Sequence, residues 1–66
     1  MTIVINGESH ELPDGSTAAD AAVLVAGSVS GLAVAVNDDV VPRSQWARTA
    51  LADGDRVEIL TAVQGG

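Results

Sequence analysis

The residues of this chain best suited to chemistry are its last two, Gly65 and Gly66. They follow residues 56–63, a mostly apolar and β-branched run that predicts a strand. Glycine has no Cβ and accepts nearly any backbone conformation, which suits a segment that must enter a narrow channel in another protein. A frayed terminus is the simpler interpretation, because terminal residues are often poorly ordered. Position alone leaves both interpretations open.

Other candidates for catalysis or metal binding are few. His10 is the single histidine and the chain has no cysteine, so we expect His10 to be a surface residue rather than a metal ligand or a catalytic base. A chain of 66 residues has too small a core to enclose a pocket for a small molecule. Any chemistry is therefore expected to take place on the surface of a partner.

Charge and hydropathy restrict the classes of partner. Nine acidic residues stand against three basic ones, and the net charge is −6. This balance argues against nucleic acid and against an anionic membrane as the main partner, and it favours a basic protein surface. The N-terminus lacks the pattern of a signal peptide, and the longest apolar run, residues 21–26, is too short to span a bilayer. We expect a cytoplasmic protein.

The elements that must position the diglycine begin with a hairpin. Residues 1–5 predict a strand, Asn6-Gly7 predicts a tight turn because both positions tolerate positive φ, and residues 8–12 predict the returning strand. Alternation assigns one face of the first strand to the core and leaves Val4 on the other face. The residues predicted on the core face are Met1, Ile3 and Ile5.

A helix is predicted over residues 18–26. Thr17 is suited to cap its N-terminus, Asp20 completes a short capping box, and Gly27 supplies the stop. The face at core spacing is mostly alanine, and such a face buries little area per residue, so a thin core is expected. That face comprises Ala18, Ala21, Ala22 and Val25, with Leu24 beside them.

Two further strands are predicted before the final one, over residues 32–36 and 40–41, with a turn at 37–39 between them. In the first, Ala33 and Ala35 make one face flat. The other face, formed by Leu32, Val34 and Val36, is expected to be buried.

The segment that follows contains the most bulky side chain. Pro42 ends the short strand and implies that it lies at an edge of the sheet, because proline cannot donate to a strand ladder. Residues 43–48 predict one helical turn, in which Trp46, the only aromatic residue, is expected to cover one end of the core. Residues 53–55, Asp-Gly-Asp, predict the last tight turn.

The predicted order is hairpin, helix, strand, short strand, helical turn and final strand, or ββαββ in outline. We predict an α+β fold in which one helix packs across one face of a mixed sheet, with the first and last strands as central neighbours. This is the ubiquitin-like β-grasp arrangement. It is predicted as a single domain over residues 1–66 with a flexible tail from about residue 63.

Three blocks of the sequence resemble the ThiS family, the sulfur carrier proteins of thiamine biosynthesis. They are residues 37–47 (NDDVVPRSQWA), residues 53–59 (DGDRVEI) and the diglycine. The Val-Pro-Arg-x-x-Trp motif is the most specific, and it separates this family from the small subunit of molybdopterin synthase, which is similar mainly in fold and tail. The alanines of the helix depart from the larger aliphatic residues usual in the family.

The resemblance implies a cosubstrate rather than an enzyme. An ATP-dependent activating enzyme of the ubiquitin-activating type would adenylate the carboxylate of Gly66. A sulfur donor, such as a persulfide-bearing protein, would convert it to a thiocarboxylate, and thiazole synthase would take the sulfur. Gly65 would provide steric access to the reacting carbon. The chain would bind no cofactor itself, since ATP is used by the activating partner and the sequence has no nucleotide-binding loop.

Strand parity predicts a partner surface on the side of the sheet away from the helix. If Val57 and Ile59 face the helix, the alternate residues face away, and a contiguous apolar patch there would mark a docking site. Arg43 is expected to contact carboxylates of a partner. The residues predicted to share the patch are Val4, Ala33, Ala35, Glu58, Leu60 and Ala62.

Other functions stay open. The chain could carry sulfur for molybdopterin or for another sulfur-transfer pathway. A ubiquitin-like modifier would be joined through Gly66 to lysines of target proteins, and its adducts would resist thiols. A non-covalent β-grasp regulatory module would not need the diglycine at all.

Overall fold

The computed structural model of this chain describes residues 1–26 and 31–61. The elements in these ranges are β1 (Thr2–Ile5), β2 (Glu8–Glu11), α1 (Ala18–Ala26), β3 (Leu32–Val36), β4 (Asp39–Val41), a 3-10 helix (Arg43–Arg48) and β5 (Arg56–Thr61). The strands form a mixed five-stranded sheet in the order β2-β1-β5-β3-β4. β1 and β5 are parallel neighbours, and the other neighbouring pairs are antiparallel. The predicted β-grasp arrangement is confirmed, with β4 as an edge strand that the outline ββαββ does not count.

Two tight turns form the hairpins of the sheet. Asn6 and Gly7 connect β1 to β2 with φ of 50° and 84°. Asn37 and Asp38 connect β3 to β4 with φ of 50° and 73°. Positive φ at both central positions matches the right-handed twist of the flanking strands, and asparagine, aspartate and glycine tolerate it best. The Asn-Gly signal in the sequence therefore predicted the first hairpin correctly.

The predicted capping box starts α1. The carboxylate of Asp20 accepts a hydrogen bond from the backbone N–H of Thr17 (2.8 Å), and the N–H of Asp20 donates to the hydroxyl of Thr17 (3.4 Å). These bonds satisfy backbone donors that have no partner inside the helix. The stop predicted at Gly27 lies outside the described residues.

The core face of α1 is the predicted one over the first turns, where Ala18, Ala21 and Ala22 are fully buried. The prediction is wrong for the last turn, in which Leu24 is 51% exposed and Val25 is 41% exposed. At 3.6 residues per turn, Val25 lies on the same side of the helix as the buried alanines. Its exposure therefore comes from its position along the helix axis, not from its face.

The core lies between α1 and the inner face of the sheet, defined here as the face that α1 covers. Alternation along β1, β3 and β5 predicted the inner face correctly, although Met1, Leu32 and Val36, which were also expected to be buried, are only partly buried against the core. Leu51 is a core residue that the sequence patterns did not predict. Its N–H donates to the carbonyl of Ser16 (2.9 Å) beside an isolated bridge between Thr17 and Ala50, and this long-range pairing turns Leu51 inward. The buried apolar residues besides the helix alanines are Ile3, Ile5, Val34, Trp46, Leu51, Val57 and Ile59.

Trp46 is buried, as predicted, with 3% of its surface exposed. It lies on the 3-10 helix, and its indole Nε1 donates to the carbonyl of Val41 at 2.7 Å. The hydrogen bond lets the ring be buried without leaving its N–H unpaired.

No helix in the described ranges is long and apolar enough to cross a membrane.

Candidate functional site

The outer face of the sheet, defined as the face opposite α1, carries the predicted partner surface. Val57 and Ile59 of β5 are buried on the inner face, so Glu58 and Leu60 point outward. The parity predicted for this strand is therefore correct. Leu60 is 68% exposed although β5 is the central strand of the sheet.

The register of β3, β4 and β5 brings four of the predicted residues together. Ala33 pairs with Leu60, and Ala35 pairs with Glu58. Because alanine side chains are short, the two β3 positions form the floor of a shallow groove between taller side chains on the neighbouring strands. This outer groove has a volume of about 140 Å³, and its lining side chains on the outer face are Ala33, Ala35, Val40, Glu58 and Leu60.

Val40 is a groove residue that the sequence analysis missed. It pairs with Ala35 across the β3–β4 hairpin and is 77% exposed. β4 contains two adjacent valines, and only the register of the hairpin decides which of them points outward. The two-residue turn at Asn37 and Asp38 was the one signal from which that register could have been deduced.

A second groove continues the first toward the end of β5. Its volume is about 320 Å³, and it shares Ala33 and Leu60 with the outer groove. The remaining lining residues are Gly31, Leu32 and Thr61. The second groove therefore reaches around the ends of β3 and β5, since Leu32 and Thr61 have the parity of the inner-face residues. Ala62 and the diglycine, which follow Thr61 in the chain, lie outside the described residues.

Two of the predicted residues do not line the outer groove. Val4 points to the outer face, but its partner on β5 is Arg56, at the opposite end of that strand from Leu60. Arg43 is exposed at the start of the 3-10 helix. It takes part in no ion pair with the side chains of residues 1–26 and 31–61.

The outer face of β5 changes from charged to apolar side chains toward the tail. Arg56 forms an exposed ion pair with Asp38, with 2.7 Å between Nη2 and Oδ2. Glu58 follows, without an ion-pair partner among the side chains of the described residues, and Leu60 completes the series with an apolar side chain. The surface nearest the tail is therefore suited to an apolar contact, and the acidic groups near it are suited to a basic rim on a partner.

His10 lies on the edge strand β2, and its Nε2 is 3.9 Å from a carboxylate oxygen of Glu8. Its side chain is partly exposed. Among the described residues, no three histidine or acidic side chains are placed to hold a metal ion. The outer groove and the tail therefore remain as the candidate functional site.

Comparison with known proteins agrees with the resemblance seen in the sequence. The family model of the ThiS family matches residues 3–66. The sulfur carrier protein ThiS of Escherichia coli K12 is 30% identical over 66 residues, which cover the whole of both chains. A thiazole synthase of Paramagnetospirillum magneticum is 38% identical over 68 aligned residues, which include all of this chain but only 20% of that protein.

Solved structures share the fold. The crystal structure of the thiamine biosynthesis protein ThiS from Geobacter metallireducens superposes with a TM-score of 0.81 at 25% identity and full coverage of both chains. A solution structure of a thiamine biosynthesis protein from the same organism has a TM-score of 0.72 at 23% identity, covering all of this chain and 88% of the other. Since the family model spans nearly the whole sequence and the Escherichia coli match runs from end to end, this chain belongs to the ThiS family of sulfur carrier proteins.

Proposed function

We propose that this chain carries sulfur as a thiocarboxylate on Gly66 and delivers it for thiazole formation in thiamine biosynthesis. The observation that carries the proposal is the end-to-end match to the sulfur carrier protein ThiS of Escherichia coli, together with a family model that extends to residue 66. The diglycine is thereby part of the matched region. The chain acts as a cosubstrate, and the catalytic groups belong to its partners.

The proposed loading begins with activation of the carboxylate. An oxygen of the Gly66 carboxylate bonds to the α-phosphorus of ATP on an activating enzyme, and pyrophosphate leaves. A carboxylate resists attack by a nucleophile until one of its oxygens becomes part of a good leaving group, which AMP supplies. Gly65 has no side chain to obstruct the approach to the acyl carbon.

Sulfur enters in the second step. The terminal sulfur of a persulfide on the donor protein attacks the acyl carbon, AMP leaves, and an acyl disulfide joins the two proteins. A thiol then supplies two electrons to cleave the S–S bond, which releases the thiocarboxylate. Hydrosulfide would give the same product in one displacement without a reductant.

The sheet of this chain serves as the handle in both steps. β5 lies between β1 and β3, and its pairing with β3 continues to Thr61, the last described residue before the tail. The outer groove lies along this strand, with Leu60 as the most exposed apolar side chain close to the tail. A partner that docks on the groove would hold the tail near its own active site, which replaces a bimolecular encounter by a local one.

Thiazole synthase is the proposed acceptor of the sulfur. In the Paramagnetospirillum magneticum protein, a region similar to the whole of this chain forms part of a polypeptide named thiazole synthase. Two functions that lie in one polypeptide commonly act together, and this supports a direct contact between carrier and synthase. Arg43, which is exposed and has no described ion-pair partner, is the proposed contact to a carboxylate of one of the two partner enzymes.

Intact mass spectrometry tests the proposed function. Incubation with ATP, the activating enzyme and a persulfide donor should add the mass difference between one sulfur and one oxygen. Deleting Gly66, or adding a residue after it, should abolish both this change and ATP–pyrophosphate exchange while the far-ultraviolet circular dichroism spectrum stays unchanged. Gln64→Ala is the matched control, because it alters the tail and leaves the diglycine intact.

The same experiment separates the alternatives. Normal pyrophosphate exchange with a blocked tail would refute the carrier function. Adducts on lysines of other proteins that survive thiol treatment and denaturing gels would instead indicate a ubiquitin-like modifier. An activity that survives removal of the diglycine would indicate a non-covalent regulatory module.

A further inference from the structure

Asn6 makes more contacts than a turn residue requires. It is the first residue of the β1–β2 turn, and its backbone N–H donates to the carbonyl of Val57 at 3.0 Å. Its side-chain amide forms two more hydrogen bonds, both with Ile59. Nδ2 donates to the Ile59 carbonyl (3.0 Å), and Oδ1 accepts from the Ile59 N–H (2.8 Å). The side-chain amide thus satisfies both backbone groups of Ile59, which a longer β1 would have paired through two different residues.

This pairing matters because the backbone of β1 pairs with only the first part of β5. The parallel register of β1 extends along β5 only to Ile5 opposite Val57, whereas β3 pairs with β5 as far as Thr61. Beyond Val57, the edge of β5 that faces β1 is held by the amide of Asn6. Among the described residues, this amide therefore makes the hydrogen bonds nearest to Thr61 on that edge of β5.

The choice of residue type is specific. The position has a φ of 50°, which asparagine, aspartate and glycine tolerate best. Glycine offers no side-chain bond, and an ionised aspartate accepts the N–H of Ile59 but has no donor for its carbonyl. Asparagine alone of the three supplies both a donor and an acceptor to the backbone of β5.

We propose that Asn6 is a positioning residue for sulfur loading, and the proposal rests on the proposed function of the tail. Its amide fixes the last part of β5 on the edge that the β1 backbone no longer covers. It thereby fixes the direction in which the chain leaves the sheet beside the outer groove. A partner docked on the groove then finds the reacting carboxylate in a narrower range of positions, which raises the fraction of productive complexes.

Asn37 provides a matched control at the other end of the same strand. It too begins a hairpin turn with a φ of 50°. Its N–H donates to the Arg56 carbonyl (2.7 Å), its Oδ1 accepts from the Arg56 N–H (3.0 Å), and its Nδ2 donates to the carboxylate of Asp55 (3.1 Å). Both asparagines therefore hold β5 by a side-chain amide, but Asn37 holds the end that is remote from the tail.

The experiment compares Asn6→Gly with Asn37→Gly, because glycine preserves the positive φ and removes only the side-chain bonds. Amide exchange measured by NMR should accelerate about tenfold at Ile59 in the first variant and at Arg56 in the second, the scale expected for a lost hydrogen bond in a locally opening segment. Thermal melts followed by far-ultraviolet circular dichroism measure the loss of folding stability in each variant.

Steady-state thiocarboxylate formation then separates positioning from stability. For Asn6→Gly, kcat should fall about fivefold to tenfold while KM for the carrier changes less than about twofold, because the groove is intact and only the competent fraction of docked tails is reduced. Asn37→Gly should keep both constants within about twofold of the wild type. Asn6→Asp, which keeps the turn and the bond to the Ile59 N–H, should give a kcat between those of wild type and Asn6→Gly.

Three results would overturn the proposal. One is an equal loss of kcat in both glycine variants that follows their loss of melting temperature. Another is rapid exchange at Ile59 in Asn6→Gly with a wild-type kcat; if that variant does not fold, the same comparison on Asn6→Asp decides. The third is a wild-type chain that gains no sulfur. The proposed function then fails, and the positioning role fails with it. Faster amide exchange at Ile59 in Asn6→Gly would in that case still show that the Asn6 hydrogen bonds exist.

Discussion

Leu60→Asp provides the sharpest test of the outer groove as a docking site. Leu60 is 68% exposed and lies opposite Ala33, so the free protein gains little from burying it. Burying a leucine side chain fully is worth about 1.5–3 kcal/mol. Most of that burial remains available to a partner, and an aspartate at the centre of the contact would also be desolvated.

We therefore expect Leu60→Asp to weaken binding to the activating enzyme by about 1–3 kcal/mol, the range of an interface anchor. This corresponds to an increase in Kd of roughly fivefold to 150-fold. The loss of folding stability should stay below about 1 kcal/mol, the span of β-propensities for a strand position. Isothermal titration calorimetry measures the first quantity, and thermal melts followed by far-ultraviolet circular dichroism measure the second.

Leu24→Asp is the matched control. Leu24 is also an exposed leucine, but it lies on α1, which packs on the opposite side of the sheet from the groove. The two variants have the same net charge, so an equal loss of binding in both would assign the effect to charge and refute the groove. Wild-type affinity in Leu60→Asp would refute it directly, and an unfolded Leu60→Asp would contradict the exposure of this side chain.

The remaining predictions concern the scaffold and one exposed cation. Trp46→Ala should cost about 3–5 kcal/mol, because it empties a buried site and removes the donor to the Val41 carbonyl. The total stability of so small a domain is only about 5 kcal/mol, so far-ultraviolet circular dichroism should show a largely unfolded chain, and a folded, active variant would contradict the structural role. Arg43→Ala should change stability by no more than about 0.5 kcal/mol, as at other exposed sites, but should slow sulfur loading or transfer; an early melt would assign Arg43 to the scaffold instead. Asp20→Ala removes the capping-box carboxylate from the Thr17 N–H and should cost about 0.3–1.5 kcal/mol of stability, with sulfur loading per folded molecule unchanged.

Local signals in the sequence were sufficient for the elements that depend on neighbouring residues. The Asn6-Gly7 turn needs only two residues that tolerate positive φ, and the capping box needs only Thr17 and Asp20 at the correct spacing. Parity along β5 follows from alternation once one buried residue is assigned. Parity along β5 alone therefore predicts that Leu60 lies on the face opposite Val57 and Ile59, and it requires no information on strand pairing.

Features that depend on distant pairing could not be read from local patterns. The inward turn of Leu51 results from its bond to Ser16, far away in the sequence, and periodicity contains no signal for it. Helical spacing gives the side of α1 on which Val25 lies, but not how far along the helix the sheet extends. The outward orientation of Val40 depends on the register of the β3–β4 hairpin, which a shift of one residue would reverse.

The strand that leads to the tail separates stability from recognition by residue parity. Its inner residues, Val57 and Ile59, are buried beneath α1. The outer side chains, Glu58 and Leu60, are exposed and therefore contribute little to folding. Because the backbone edges of the same strand are held by β1, β3 and the amide of Asn6, a change on the outer face can alter partner contact without disturbing the path of the chain to Thr61. A substitution on the outer face that lowers sulfur transfer therefore indicates weaker docking. A substitution on the inner face that lowers it indicates a destabilised scaffold.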